Sequence, residues 1–271
     1  MTLIYRTYLK GIEKFREAFS AFSENYVIIG GTACDAVLSK TMVEPRATVD
    51  IDMILVVEKM TTEFANAFWQ FVKEGQYRNG KRKRGENRAP AYELYRFEEG
   101  KPGFPAKIEL LSRHSDLLGE PSGFHLEPIP TGEDVSSLSA IMMGEEYYEL
   151  TVNNSYVEDG QRYASHYALV CLKTKAYLNL LAEREAGRMV NTKDIKKHRN
   201  DVLKLIAGAD FSETLAVVPS VWDTIQSFVL RIEEELSANS KSLRDALGRT
   251  EEQIRVYLYI LRNAFIKEEP R

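Results

Sequence analysis

The sequence predicts an α+β protein, with strands and helices interleaved over residues 1–160 and a helical domain over residues 161–271. In the first part, short apolar runs of strand length alternate with segments whose apolar residues recur every three or four positions. In the second part, four long segments show helical spacing, and strand-like alternation is lost. A chain of 271 residues that is 44% hydrophobic can bury the core of one large domain or of two ordinary ones.

The first part opens with a helix, a strand and a turn. Phenylalanines at helical spacing predict a helix over residues 5–23, and the apolar run 26–29 predicts a short strand. Gly30 and Gly31 interrupt that strand, and Thr32 can cap the helix that follows. The same criteria predict the remaining elements of this part: strands at 47–57, 92–97 and 106–111, and a helix at 61–74.

Two further segments of the first part have no clear apolar periodicity. Residues 78–88 read RNGKRKRGENR, with six basic residues and two glycines, and are predicted to be a loop. Such a loop can attract RNA or another polyanion, or it can be a solvated insertion. From residue 112 to about 160 we expect strand and loop character, including the run YYELTVNN. Beyond it we expect helices at 165–187, 192–207, 219–238 and 250–267.

Composition and charge argue against several classes of protein. The net charge of −4 gives no overall basicity of the kind that accompanies nucleic-acid binding, so any such site must be local. The two cysteines, Cys34 and Cys171, have no CxxC spacing, and neither a disulfide framework nor a zinc site is predicted. No signal-peptide core or uncharged run of membrane-spanning length is present. We therefore expect a cytoplasmic protein with no membrane partner.

Two carboxylates interrupt the apolar pattern of the strand at 47–57, which reads ATVDIDMILVV. Side chains alternate between the faces of a strand, so Asp50 and Asp52 point to the same face, with Cα atoms roughly 6.5–7 Å apart. This spacing lets both bind shared cations, as in two-metal phosphoryl-transfer sites. The alternative is that both aspartates lie at a solvated end of the strand.

The segment IIGGTACDAVL, a little upstream, has the composition of a phosphate-binding turn. A strand, two glycines and a helix follow one another, so backbone N–H groups and the helix dipole can receive a phosphate. The motifs GxxxxGK[ST] and GxGxxG are absent, which argues against a Walker A loop and a dinucleotide site. The alternative is that the glycines supply only backbone freedom for the turn.

GGT at residues 30–32 followed by TVDID at residues 48–52 resembles the DNA polymerase beta-like nucleotidyltransferase superfamily, and within it the AbiEii toxin-like family. The resemblance implies a nucleotidyltransferase-fold mixed sheet with flanking helices, plus a C-terminal helical domain. It also implies a third carboxylate on a later strand. Glu109 in AKIELL matches that position and shares a strand face with Lys107. The alternative for Glu109 is an exposed strand glutamate.

The resemblance further implies a metal-dependent transfer of a nucleoside monophosphate from an NTP to an acceptor hydroxyl or phosphate, in an enzyme of the toxin-antitoxin type. Asp50, Asp52 and Glu109 would bind two Mg²⁺ ions, and the turn at 30–32 would hold the outgoing phosphates. RNA is one acceptor class, and a cognate antitoxin is an expected partner. Apart from the resemblance, Arg46, just ahead of the carboxylate strand, can approach phosphate if its loop folds inward, and the alternative is a surface arginine.

The resemblance extends to a second segment, LVCLKTKAYLNLLAEREAGRMVNTKDIKKHRND. It assigns a catalytic, phosphate-binding lysine to Lys173, although the register leaves Lys175 open. A lysine supplies a positive point charge to a triphosphate. The alternative for Lys173, which sits beside the apolar stripe of its helix, is a salt bridge to an acidic neighbour.

The Lys193-Asp194 pair that opens the next helix also matches the family pattern, and Asp194 would hold the lysine or a basic neighbour near the nucleotide. The arginine of the pattern is Arg184 or Arg188. The alternative for these residues is a solvated helix face with a capping residue. The family continues with KDxxD, whereas this chain has KDIKKHRND, which places His198 four residues after Asp194.

Two other functions remain open on the sequence alone. One is modification of a small molecule, as in antibiotic nucleotidyltransferases on the same core, which an acidic, enclosed acceptor pocket would favour. The other is a non-catalytic nucleotide-binding or antitoxin-like module. Loss of one metal-binding carboxylate would support the second, but all three candidates are present.

Overall fold

A computed structural model of the protein describes residues 11–59, 61–82, 91–111 and 145–269. These residues form an α+β structure, as the sequence predicts. They cluster in two compact units, one built on a large sheet and one mainly helical. The described residues of the first unit lie within 11–36, 46–111 and 155–164, and those of the second within 37–45, 145–154 and 165–269. Each unit thus combines separate stretches of the chain, whereas the sequence suggests a single boundary near residue 160.

The first unit is organised by a mixed sheet. Its strands are β1 (Tyr26–Ile29), β2 (Asp50–Leu55), β3 (Arg78–Arg82), β4 (Ala91–Glu98), β5 (Lys107–Leu111), β6 (Ser155–Glu158) and β7 (Gln161–Ala164). Among the described residues they form one seven-stranded sheet in the order β3-β4-β5-β2-β1-β7-β6. β2 pairs with β5, and β1 with β7, in parallel, while the other neighbours are antiparallel.

The segment 78–88 is only partly the loop that its composition predicts. Residues Arg78–Arg82 form β3, which pairs with β4 with a shift of register between Asn79 and Lys81. β3 ends the strand order, and an edge strand accepts glycine and charged residues because it is bonded to a neighbour on one side only. The lack of apolar periodicity therefore did not exclude a strand. Residues 83–88 lie outside the described part of the chain.

Aromatic side chains of two helices cover one face of this sheet. The helices of the first unit are α1 (Ile12–Phe19), α2 (Gly30–Leu38, whose last two residues cluster with the second unit) and α3 (Thr62–Glu74). Phe19 at the end of α1 is fully buried, with its ring centroid 5.1 Å from that of Phe71 on α3 and 6.3 Å from that of Tyr26 on β1. Phe68 of α3 lies 5.4 Å from Phe97 of β4. These rings join both helices to the sheet.

The strand register places the two aspartates on the opposite face. Phe97 of β4 is the partner of Ile108 of β5, which is the partner of Ile51 of β2. Residues paired in this way share a face, so Ile51 points toward the aromatic helices. Asp50 and Asp52 flank Ile51 and therefore point away from them, as the alternation in the sequence predicts.

The second unit is mainly helical. Its helices are α4 (Glu145–Asn153), α5 (His166–Glu185), α6 (Thr192–Gly208), α7 (Pro219–Asn239), α8 (Lys241–Leu247) and α9 (Glu251–Asn263). Two short strands, β8 (Leu215–Val217) and β9 (Phe265–Lys267), pair in parallel beside them. No helix in the described part of the chain is both long enough and apolar enough to cross a bilayer.

Two predictions in this region are wrong. The run YYELTVNN lies almost entirely in α4, because Tyr147, Tyr148 and Thr151 are buried at the spacing of one helical face. The segment 250–267 is not one helix, since α9 ends at Asn263 and β9 follows. Local spacing alone could not predict β9, because it is a strand only through its pairing with a segment 50 residues earlier.

We expect Phe19→Ala to lower the free energy of unfolding by about 3–5 kcal/mol, because it removes a fully buried ring from the centre of the aromatic cluster. Phe22→Ala is the matched control, since Phe22 is only half-buried and contacts Phe64 at 5.8 Å. Urea unfolding followed by circular dichroism measures both. Equal losses for the two variants would contradict the packing described above.

Candidate functional site

The candidate site begins at the N-terminal ends of two parallel strands. β2 and β5 start with the same polar-apolar-polar alternation, DID at residues 50–52 and KIE at residues 107–109. The register pairs Asp50 with Lys107 and Asp52 with Glu109. Three carboxylates and one ammonium group therefore lie next to one another on the face that points away from the aromatic helices.

Lys107 lies between two of these carboxylates. Its Nζ atom is 3.2 Å from Oδ2 of Asp50 and 3.0 Å from Oε1 of Glu109. Arg96, the β4 partner of Glu109, forms a further ion pair, with Nε 2.6 Å from the same Oε1. The side chain of Glu109 is 14% exposed and that of Asp50 is 33% exposed, so Glu109 is the more enclosed of the two.

These contacts determine the ionisation of Glu109 and Lys107. Burial opposes the charged form of Glu109, but the charges of Lys107 and Arg96 outweigh it, and the pKa of Glu109 lies below its usual value. Burial likewise opposes the charged form of Lys107, yet Glu109 and Asp50 outweigh it and raise the pKa of Lys107. With Asp52 included, three formal negative charges and two positive ones leave this cluster at −1.

Gly30 joins the carboxylates to a helix N-terminus. β1 is antiparallel to β2, and its last residue, Ile29, pairs with Asp52, so α2 begins beside that carboxylate. The φ angle of Gly30 is +70°, and a Cβ atom there would lie 2.9 Å from Cγ of Asp52 and overlap with Oδ2. Glycine is therefore required both by the backbone conformation and by the closeness of Asp52.

A guanidinium group, that of Arg46, lies beside Gly31 at the start of α2. A Cβ atom on Gly31 would lie 2.6 Å from a terminal nitrogen of Arg46 and 2.8 Å from Oγ1 of Thr48. The first N–H groups of an α-helix have no partner within the helix, and they attract anions together with the helix dipole. The Arg46 side chain and the Asp52 carboxylate thus each lie beside the start of α2.

Thr32 does not cap α2, contrary to the sequence prediction. The helix already begins at Gly30, which places Thr32 in its first turn with 4% of the residue exposed. Its Oγ1 donates a hydrogen bond of 2.6 Å to the backbone oxygen of Asp50. Thr32 therefore ties the start of α2 to the start of β2, and this bond fixes the helix relative to the carboxylates.

Three kinds of chemical group lie near the N-terminal ends of β2 and β5: a set of carboxylates, a helix N-terminus and a guanidinium. No protein-family model, curated protein or solved structure matches the chain. No matching protein therefore indicates a function for the site. A helix N-terminus and a guanidinium suit a phosphate, and carboxylates suit a metal ion bound to that phosphate.

The carboxylates fit Mg²⁺ in their chemistry, because hard oxygen atoms are the ligands that this ion prefers. Among the described residues, however, no three His, Cys, Asp or Glu side chains form a ready metal-binding group. Lys107 offers a physical reason, since its ammonium group occupies the position between Asp50 and Glu109. Binding of an ion between Asp50 and Glu109 would require the Lys107 ammonium to move away from them.

The lysines predicted in the second segment have contacts within the helical unit. Lys173 on α5 is 1% exposed and donates a hydrogen bond of 2.7 Å to Oδ2 of Asp201 on α6. Lys173 therefore forms the salt bridge to an acidic neighbour that the sequence left open as an alternative. The Nζ atom of Lys175 lies 5.9 Å from the centre of the Tyr147 ring. Nucleotide binding by Lys173 or Lys175 stays a prediction.

The Lys193-Asp194 pair opens α6, as expected. Asp194 is exposed in the first turn, where a carboxylate interacts favourably with the helix dipole. Arg184 and Arg188 are also exposed, whereas His198 is 8% exposed. Nucleotide binding by Asp194 stays a prediction.

Arg96 and the bridging position of Lys107 were missed by sequence reasoning. The signal for Lys107 was the matched spacing of KIE at 107–109 and DID at 50–52, which puts a lysine opposite an aspartate if the two strands are parallel and in register. No comparable signal existed for Arg96. Its place beside Glu109 depends on the antiparallel register of β4, which local spacing does not determine.

We expect Gly30→Ala to destabilise the protein more than Gly103→Ala does. Both glycines have positive φ angles, but a Cβ atom on Gly103 would meet nothing within 4 Å, whereas one on Gly30 would collide with Asp52. The control should lose about 1 kcal/mol from backbone strain alone, and Gly30→Ala should lose more. Urea unfolding measures both. The excess should shrink when Gly30→Ala is combined with Asp52→Ala, and an unchanged excess would contradict the contact.

The lowered pKa of Glu109 predicts an acid-dependent loss of stability. Its ionised form stabilises the folded state above the usual pKa of 4.5, and this contribution is lost as the pH falls through the lower, folded value. In metal-free buffer, the free energy of unfolding of Glu109→Gln should therefore fall less steeply below pH 4.5 than that of the unmodified protein. Parallel curves for the two proteins would refute the prediction.

Proposed function

We propose that the protein is a nucleotidyltransferase that moves a nucleoside monophosphate from an NTP to an acceptor hydroxyl or phosphate. Asp50, Asp52 and Glu109 would hold Mg²⁺, and the start of α2 at Gly30-Gly31 would receive the phosphates. The proposal follows the resemblance of GGT and TVDID to the nucleotidyltransferase superfamily. The resemblance implies a mixed sheet with flanking helices, and the described residues form a sheet of this kind, which supports the proposal.

The observation that carries the proposal is the contact between Gly30 and Asp52. It brings a helix N-terminus against a carboxylate on the neighbouring strand, with no room for a side chain between them. An NTP is a polyphosphate that binds with a divalent cation, so its site needs anion-binding and cation-binding groups side by side. Either group alone would be weak evidence, whereas their contact supports a metal–phosphate ligand.

The proposed reaction forms a bond between an acceptor oxygen and the α-phosphorus of the NTP. The bond from that phosphorus to the bridging oxygen of the β-phosphate breaks, and pyrophosphate leaves with the electron pair. Bound Mg²⁺ would neutralise phosphate charge, which is its usual contribution to such reactions. Arg46 and the first turn of α2 would orient the phosphates. Glu109 would bind one Mg²⁺ ion and favour deprotonation of the acceptor hydroxyl, whose proton would pass to solvent.

The contribution of the helical unit is a separate part of the proposal. Lys173 would neutralise charge on the outgoing phosphates, for which it would have to exchange its contact with Asp201 for one with the nucleotide. Asp194 is exposed and would act through a basic neighbour. RNA as the acceptor and an antitoxin as a partner are proposed from the family resemblance alone.

A non-catalytic nucleotide-binding module is the second candidate, and one observation favours it. Lys107 and Arg96 already neutralise most of the carboxylate charge, so the cluster can be stable without a metal ion. Such a module would bind NTPs without releasing pyrophosphate. Release of pyrophosphate in the presence of an acceptor therefore distinguishes the two candidates.

We expect the protein to transfer label from at least one α-labelled NTP to total RNA in the presence of Mg²⁺. Asp50→Asn and Asp52→Asn should each lower the rate by at least about a hundredfold, because each removes a carboxylate that would hold the Mg²⁺ neutralising the phosphate charge. Glu13→Gln, an exposed carboxylate in the same unit, is the matched control and should keep the full rate. Labelling of small molecules from a cell extract, with RNA unlabelled, would indicate a small-molecule acceptor. Equal rates for all variants would exclude this site.

A further inference from the structure

The position of Lys107 relative to the carboxylates has a consequence for metal binding. Its ammonium group contacts one oxygen of Asp50 and one of Glu109, at 3.2 and 3.0 Å, and so joins two neighbouring strands. A Mg²⁺ ion binds carboxylate oxygens at about 2.0–2.1 Å. An ion that bridged Asp50 and Glu109 would therefore occupy nearly the same space as the ammonium, and the two cations would repel each other.

The surroundings of Lys107 strengthen this competition. Arg96 contacts the same oxygen of Glu109 as Lys107 does, Oε1, so this carboxylate is already shared by two cations. Asp50 and Glu109 are brought to Lys107 by backbone pairing of β2 with β5, which leaves little freedom to separate them. The Lys107 side chain is long and partly exposed, so its ammonium group can leave the carboxylates without a change in the strand pairing.

We propose that Lys107 is an intramolecular competitor of divalent cations, and that a metal ion binds the carboxylates only when the Lys107 ammonium leaves them. This inference deepens the proposed function, because it assigns control of metal occupancy at the same site to a residue of this chain. Without a metal ion, Lys107 keeps like-charged carboxylates together. With a metal ion, the ion takes over that role and Lys107 is released.

Binding of Mn²⁺ to the full chain tests the inference directly, with the free ion counted by electron paramagnetic resonance and no nucleotide present. Lys107→Met should bind Mn²⁺ about ten- to a hundredfold more tightly than the unmodified protein, a change of the size produced by other residues that contact metal ligands. Lys107→Arg keeps the positive charge and should show no tightening. Lys73→Met, an exposed lysine of α3, controls for net charge and should leave the affinity unchanged.

Two further measurements locate the effect. Adding Asp50→Asn to Lys107→Met should abolish the gain in Mn²⁺ affinity, because the carboxylate that the released site offers to the ion is then missing. In the unmodified protein, acetylation of Lys107 followed by mass spectrometry should increase when Mn²⁺ is added, while acetylation of Lys73 should not. This second measurement applies even if Lys107→Met does not fold.

The outcomes separate the inference from the proposed function. Unchanged or weaker Mn²⁺ binding by folded Lys107→Met, a gain that survives Asp50→Asn, or Lys107 acetylation that does not respond to Mn²⁺ overturns the inference. If these results are as expected but no NTP is consumed, the inference holds for a divalent-cation site and the proposed function fails. If NTP transfer depends on Asp50 but Lys107 is not released when the metal ion binds, the proposed function holds and the inference about Lys107 fails.

Discussion

The ion pairs of Lys107 with Asp50 and Glu109 are the interaction on which the rest of the site depends. Three carboxylates on adjacent positions of two strands repel one another, and a sheet that carried them alone would be strained by that repulsion. The ammonium between them, together with Arg96, reduces the formal charge of the cluster to −1. The two cations therefore allow three carboxylates to lie together on the inner strands β2 and β5 without a bound metal ion.

The fold brings a helix N-terminus to the start of β2 by a short route. β1 runs antiparallel to β2, so the chain leaves β1 beside Asp52 and starts α2 there without an intervening loop. Thr32 then bonds to the backbone of Asp50 and holds the two elements together. The aromatic helices pack on the other face. On the carboxylate face the charged groups lie at the start of β2 and β5, while Ile54 and Leu111 further along the same face are buried.

The parts of the fold that the sequence predicts are those controlled by local pattern. The alternation in DID at 50–52 indicates a strand with both aspartates on one face, and the structure confirms it. Arg96 was missed because its position beside Glu109 comes from strand register, which depends on distant segments. Arg78–Arg82 was predicted to be a loop because it lacks apolar periodicity. It is an edge strand, and an edge strand need not show that periodicity. The approach of Arg46 to Gly31 follows from how its loop folds, which spacing alone left open.

In the proposed function, the N-terminal ends of β2 and β5 and the start of α2 together bind a metal ion and a nucleotide. Anomalous diffraction from crystals grown with Mn²⁺ and a non-hydrolysable NTP analogue tests it most directly. We predict a manganese peak bonded to Asp50 and Asp52, phosphates at the first turn of α2 beside Arg46, and the Lys107 ammonium moved off Asp50. Manganese and nucleotide bound elsewhere, with Lys107 still joining Asp50 to Glu109, would contradict the claim.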